Sequence, residues 1–197
     1  MLEFAVLGLL ADAPMHGYEL RKRLGGLLGG LRAFSYGSLY PTLRRMQAAG
    51  WITETGSGVA PPTSGLRPKR ARVVYQLTAQ GKEHFADLLA DASPPSWADD
   101  RFDVHLAFFA RTSAEVRLRI LQGRRRRVAD RRDGMRASLG RARERLDRYT
   151  RELAEHGLES ADREVRWLDE LIAGEQADTS SEAARPAMGP QPQPHHP

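Results

Sequence analysis

The sequence predicts a mostly α-helical chain with a small β wing, a winged helix-turn-helix followed by a helical dimerisation domain. Three observations predict it. The stretch SYGSLYPTLRRMQAAGWI, from Ser35 to Ile52, reads as a short amphipathic helix preceded by two other helical segments. Two strand-like runs, one beginning at Trp51 and one from Arg72 to Leu77, bracket a loop rich in Gly and Pro. Beyond Thr112 a strongly charged pattern places apolar residues at heptad spacing, as long packed helices do.

Taken in order, Leu2 to Leu10 is an apolar helical run closed by a turn at Asp12, Ala13 and Pro14, and Gly17 to Leu24 carries a second short helix. Gly25, Gly26, Gly29 and Gly30 follow a helix rather than a strand, so they form a loop, or add a turn to the second helix, and are no dinucleotide fingerprint. In the third helix, at about 100° per residue, Leu39, Leu43 and Met46 share one face, while Gly37, Pro41 and Ala48 point the other way beside Arg44 and Arg45. Small residues flanked by arginines let a helix lie close to a phosphate backbone. Gly50 suits a left-handed cap. Trp51, Ile52 and Thr53 then begin an extended run that pairs with RVVYQL from Arg72 to Leu77. The intervening loop from Gly56 to Arg70 is expected to be mobile without a partner, with a basic base at Arg67, Lys69, Arg70 and Arg72. Thr78 caps a helix running to about Asp91, with Phe85, Leu88 and Leu89 inward.

Two prolines in SPPSWADD, residues 93–100, mark a linker between an N-terminal module (1–92) and a C-terminal helical one (101–176). Phe102 to Ala110 is read as an apolar-rich helix, followed by one long helix to about Glu155. With Leu118 at a, the a positions continue through Arg125, Arg132, Leu139, Leu146 and Leu153, and the d positions through Leu121, Val128, Met135, Ala142 and Tyr149. Arginines on the seam mean that Arg124 to Arg132 opens towards solvent or a carboxylate partner, and RRRR at Arg124 to Arg127 is read as a solvated run rather than a second nucleic-acid site. A further helix, Ser160 to about Gln176, folds back through a turn at His156 and Gly157 and presents Val165, Leu168, Leu171 and Ile172. The dimer interface is assigned to Leu121, Val128, Met135, Leu139, Leu146, Tyr149, Leu153, Trp167, Leu168 and Leu171, because two thin helices cannot bury their stripes alone. Residues 177–197, rich in Ser, Ala, Pro and Gln, are expected to be disordered.

Four segments, in this order and spacing, carry a resemblance: LEFAVLGLL near the start, PMHGYEL from Pro14, SYGSLYPTLRRM with the following AAGWI, and RVVYQLTAQG from Arg72. Roughly the first ninety residues resemble the PadR family of bacterial transcriptional regulators. The C-terminal half, with DRFDVHLAFFA and a long charged helix, is more loosely similar to the helical domain of PadR-like virulence activators. The wing loop departs from the family pattern in being longer and richer in Gly and Pro. The resemblance implies a homodimer that binds operator DNA and is often released by a small molecule.

Composition agrees with that reading. The formal net charge is +5, suited to a polyanionic partner, and the absence of cysteine excludes a disulfide framework and thiolate zinc sites. No run reaches the ~20 apolar residues of a membrane span, and the apolar start lacks a basic leader, so a cytoplasmic protein without membrane attachment is expected. His16, His84, His105 and His156 stand singly, with no metalloprotease, nucleophile-elbow or P-loop spacing. No enzyme, cofactor or metal is expected.

The leading expectation is a sequence-specific repressor of double-stranded DNA, released by a hydrophobic or aromatic ligand. In it Tyr18, Arg21, Tyr40 and the wing residues Arg67, Lys69 and Arg70 contact phosphate, and Ser38, Thr42, Arg44 and Arg45 reach base edges. Ser35, Tyr36, Gly37 and Pro41 complete the DNA-facing set. An effector site is assigned to Trp97, Phe102, Phe108 and Phe109, clustered in sequence where the modules join. The alternative is a helical interaction module whose winged helix serves protein contacts.

Overall fold

The computed structural model describes residues 1–28, 36–55, 73–142 and 145–183, and the fold is mostly helical. Its first compact unit, Met1–Val116, is built around α1 (Leu2–Asp12), in which every residue from Phe4 to Leu10 is buried. A helix apolar on all sides has to sit at the centre of a core, and α1 does. Packed on it are α2 (Gly17–Leu28) through Leu20 and Leu24, α3 (Leu39–Ala48) through Leu39, Leu43 and Met46, and α4 (Ala79–Ala90) through Phe85. A one-turn 3₁₀ helix, Tyr36–Ser38, leads into α3. Gly25 and Gly26 lie inside α2, which is a turn longer than the minimum the sequence called for.

The sheet has three antiparallel strands rather than the two expected, in the order β1 (Met15–His16), β3 (Val74–Leu77), β2 (Ile52–Thr55). Met15 pairs with Tyr75, Ile52 with Leu77 and Thr55 with Val74. Two residues between Pro14 and Gly17 carry no period, so β1 left no mark in the pattern; the fully buried Met15 side chain holds it to the core. Gly50, at φ 74°, ends α3 in the left-handed region that glycine tolerates best. The corner is then locked by Thr78, whose hydroxyl donates to the Gly50 carbonyl at 2.6 Å and accepts from the Gly81 N–H at 3.0 Å, capping α4. The loop between β2 and β3, with Gly56 to Arg70 and Arg72, lies outside the described residues.

Past α4 the chain departs from an extended linker. Pro94–Trp97 forms a 3₁₀ turn with Ser96 fully buried, and α5 (Phe102–Ala107) is shorter than expected, giving way to a 3₁₀ turn at Phe109–Arg111. Val104 and Phe108 belong to the core around α1, so this first unit ends at Val116 and not before residue 93.

The second unit, from Arg117 onward, is a helical hairpin of α6 (Ala114–Ala142, entered just before the unit begins) and α7 (Arg148–Ala183). The turn thus lies between Ala142 and Arg148, and His156 and Gly157 sit within α7, correcting the reading of one helix to Glu155 and a turn at His156. Asp147 explains the new start: its carboxylate accepts from the N–H groups of Tyr149 at 2.9 Å and Thr150 at 3.0 Å, an N-cap whose oxygen bonds hold its carboxyl below the usual range, led by the Thr150 hydroxyl. Helix α7 also takes in residues 177–183 of the expected disordered tail; 184–197 lie outside the described residues.

Ile120, Leu121 and Val128 of α6 and Ala161, Val165 and Leu168 of α7 form the hairpin's buried stripe. A Cβ on Gly157 would stand 2.7 Å from the Met135 Cε, so the glycine makes room for that methionine. Along its flanks Arg117 pairs with Glu175 at 2.7 Å, Arg124 with Glu164 at 2.5 Å, Arg125 with Asp169 at 2.6 Å and Arg136 with Asp162 at 3.4 Å, which fixes the antiparallel register. The carboxylate partners expected for the arginine-rich stretch are therefore on α7. Only Arg124 is buried, and Arg131 joins it on Glu164 at 3.1 Å. No described helix is long and apolar enough to cross a membrane.

Candidate nucleic-acid interface

Helix α3 presents one face to the core and one to solvent. Leu39, Leu43 and Met46 are at most 4% exposed, while Gly37, Tyr40, Pro41, Arg44, Arg45 and Ala48 are exposed. Pro41 stands in the first turn, where a missing N–H costs nothing. Tyr40 lies over Gly17 at the start of α2, since a Cβ there would touch the Tyr40 ring at 3.4 Å. Tyr18, the next residue, is 74% exposed, and Arg21 one turn on is also exposed, as is Ser38 before α3. Two tyrosines thus stand exposed on α2 and α3, each able to donate from its hydroxyl.

The two arginines differ in their surroundings. Arg44 makes no ion pair among the described residues and faces the sheet side; burial raises the Tyr75 phenol, with the Glu54 carboxylate adding to the rise and Arg44 opposing it. Arg45 points to α1, with its Nη2 3.4 Å from Glu3 Oε1 and donating to the Thr42 Oγ1 at 3.1 Å. Thr42 is 3% exposed, which corrects the expectation that it reaches a base edge: it falls on the core side of α3, and its hydroxyl supports Arg45. Nothing in the sequence singled out Glu3, an acid in the first turn of an apolar helix. Ser35, Arg67, Lys69 and Arg70 lie outside the described residues, as does the Tyr36 side chain.

The aromatic set near the junction divides. Phe102 and Phe108 are buried, Phe108 among Phe4 and Phe85 with ring centroids 5.4 and 5.8 Å away, so both are core residues rather than an open ligand surface. Trp97 and Phe109 are half-buried. The dimer set divides likewise. Leu121, Val128 and Leu168 are sealed inside one hairpin and have no surface left for a partner; Met135, Leu139, Leu146 and Leu171 are half-buried; Tyr149, Leu153 and Trp167 are 79%, 72% and 40% exposed. Among the described residues no group of His, Cys, Asp or Glu is arranged to hold a metal ion.

Residues 6–87, which hold this surface and the helices behind it, match the model of the Transcriptional regulator PadR-like family. Through that segment the chain is similar to the PadR-like family. The family is one of transcription regulators, not of enzymes. A curated relative, the Negative transcriptional regulator PadR of Bacillus subtilis (strain 168), is 27% identical over 111 residues, covering 56% of this chain and 57% of the relative. The chain therefore matches little more than half the length of that relative. Among solved structures, it is similar to Bacillus subtilis PadR in complex with operator DNA (21% identity, 88% of this chain and 98% of that one, TM-score 0.41). Others are the same protein in complex with p-coumaric acid (21%, 89% and 98%, TM-score 0.39) and the PadR-like regulator BC1756 of Bacillus cereus (17%, 90% and 99%, TM-score 0.38).

Proposed function

We propose that this PadR-like chain is a homodimeric repressor that binds operator DNA through the outward face of α3. The observation that carries the reading is the division of α3, with Leu39, Leu43 and Met46 committed to the core and an exposed face of Pro41 and Ala48 between Arg44 and Arg45, next to the exposed Gly37 of the preceding turn. A helix of that kind can approach a major groove closely, and arginine reads guanine bidentately. Tyr18, Arg21, Ser38 and Tyr40 set its register on phosphates, with Arg67, Lys69 and Arg70 adding charge from the wing. The repressing sense follows the relative described as a negative regulator.

Dimerisation is assigned to an exposed face of α7 that carries three large apolar side chains. Tyr149, Leu153 and Trp167 fall within about 40° of one another at helical spacing, away from the stripe that packs on α6. A small aromatic effector is assigned to the segment holding Trp97 and Phe109. The test is a mobility shift with the DNA upstream of the protein's own gene, against unrelated DNA of equal length. Selective retardation, relieved by planar aromatic acids that quench Trp97, is the expected result. Binding to no upstream fragment, with capture of a protein partner by the same face, would favour the interaction-module reading.

A further inference from the structure

We infer that Glu3 is a specificity-determining residue of the DNA-reading face, acting by restraining Arg45; the inference rests on the proposed DNA-binding reading. Arg44 and Arg45 are neighbours in sequence and flank the same strip of small residues, yet among the described residues only Arg45 is tethered to a carboxylate. Its guanidinium is held at two points, Glu3 Oε1 at 3.4 Å and Thr42 Oγ1 at 3.1 Å, while 70% of its side chain stays exposed. Thr42 is 3% exposed, and Glu3 immediately precedes the buried run of α1.

An untethered arginine on such a surface swings to any phosphate within its reach and strengthens binding to every duplex alike, because phosphate contacts carry no sequence information. A carboxylate competes with phosphate for the same guanidinium and keeps it in one orientation. That competition weakens contact with duplexes on which α3 is not seated, where phosphates are reached only by swinging. On the operator, the docked helix brings the DNA to the oriented guanidinium and the restraint saves ordering entropy. Glu3 therefore lowers affinity for random DNA more than for the operator, and Arg45 is the group through which it does so.

The experiment measures fluorescence anisotropy of the full chain with two duplexes, an operator obtained by in vitro selection with the wild-type protein and a random sequence of the same length, across a salt series. Glu3→Gln should tighten binding to the random duplex by up to about fivefold, the upper range for an exposed ion pair. Its log K against log salt should steepen by about 0.9, one added phosphate contact. Operator affinity should change less, so the operator-to-random ratio falls. In the Arg45→Ala background Glu3→Gln should have no effect on either duplex. Equal gains on both duplexes, a gain that persists without Arg45, or no gain at all would each overturn the inference while leaving DNA binding intact. Failure of the wild type to bind any duplex would remove the DNA-binding reading and this inference with it. Thermal unfolding checks that the variants fold, and Glu3→Ala serves as a second variant with the same expectation.

Discussion

The ring of Phe108 fills the space in which a side chain on Gly8 would stand: a Cβ built at Gly8 lies 2.1 Å from the Phe108 Cζ. The chain after α5 thus rests directly on the α1 backbone, with Phe4 and Phe85 closing around the same ring. Gly8→Ala should destabilise the N-terminal unit by about 1–3 kcal/mol through overpacking. Phe108→Leu removes the atoms that clash, so the double variant should be more stable than the sum of the two single losses implies. Urea unfolding of the four proteins checks it. Strict additivity would mean that the ring moves aside without cost.

Arg44→Ala should cost about 1–3 kcal/mol of operator affinity, the range for a bidentate arginine contact to a base, and relax discrimination at one base pair. Alanine is a good helix former, so α3 should stay folded. Anisotropy with the operator and its single-base variants measures both effects. Unchanged affinity and selectivity would mean that this face of α3 is not the reader.

Where pattern and packing agree, the sequence was enough. Leu39, Leu43 and Met46 gave the inward face of α3, Thr78 the start of α4, and Gly50 the end of α3, because period, cap and positive φ each have a local cause. Thr42 misled because its polarity suggested solvent while its helical position put it beside Met46. The heptad from Leu118 misled for a different reason. Leu139, Leu146 and Leu153 are seven apart, but the turn falls between Ala142 and Arg148, so the series crosses from α6 to α7. Asp147 with Thr150 three residues on was the legible signal for that break, outweighed by the leucine spacing. Phe102 and Phe108 were assigned to a ligand because sequence adjacency cannot say which aromatics a core has already taken.

The exposed face of α7 gives a sharper dimer test than the leucine series. Leu153→Glu with Trp167→Glu should leave the hairpin folded, since neither side chain is in its buried stripe, and convert the protein to a monomer that binds half-sites weakly. Leu121→Glu should instead unfold the hairpin, because it places a charge at a site 1% exposed. Sedimentation velocity and helical circular dichroism separate the outcomes. A double variant that still sediments as a dimer would reject this face as the interface.

His105 gives the N-terminal unit an acid limit. It is 5% exposed, set edge-on to Phe4 at 4.8 Å, and burial pushes its imidazole down to about 4; the Asp91 carboxylate pulls the other way and the Arg101 charge helps lower it. The folded state therefore holds His105 neutral down to about pH 4, whereas in the unfolded chain it protonates near pH 6.5. Between those values the unfolded state binds a proton that the folded state refuses, so stability is full above about pH 6.5 and falls as the pH drops towards 4. Below that both states are protonated and this residue adds no further dependence. Asp91 works in the same direction at lower pH: burial alone would raise its carboxyl, but hydrogen bonds from Ser93, led by the side chain, with the backbone N–H at 2.9 Å, hold it low, so its contribution is lost as the carboxylate protonates. His105→Gln removes the titrating group and keeps a polar side chain. Hydrogen-exchange protection of α1 amides, corrected for intrinsic exchange, should decline from pH 6.5 to 4.5 more steeply in the wild type than in the variant. The carboxylates common to both proteins cancel in that difference. Parallel slopes would show that the acid sensitivity of this core comes from other groups.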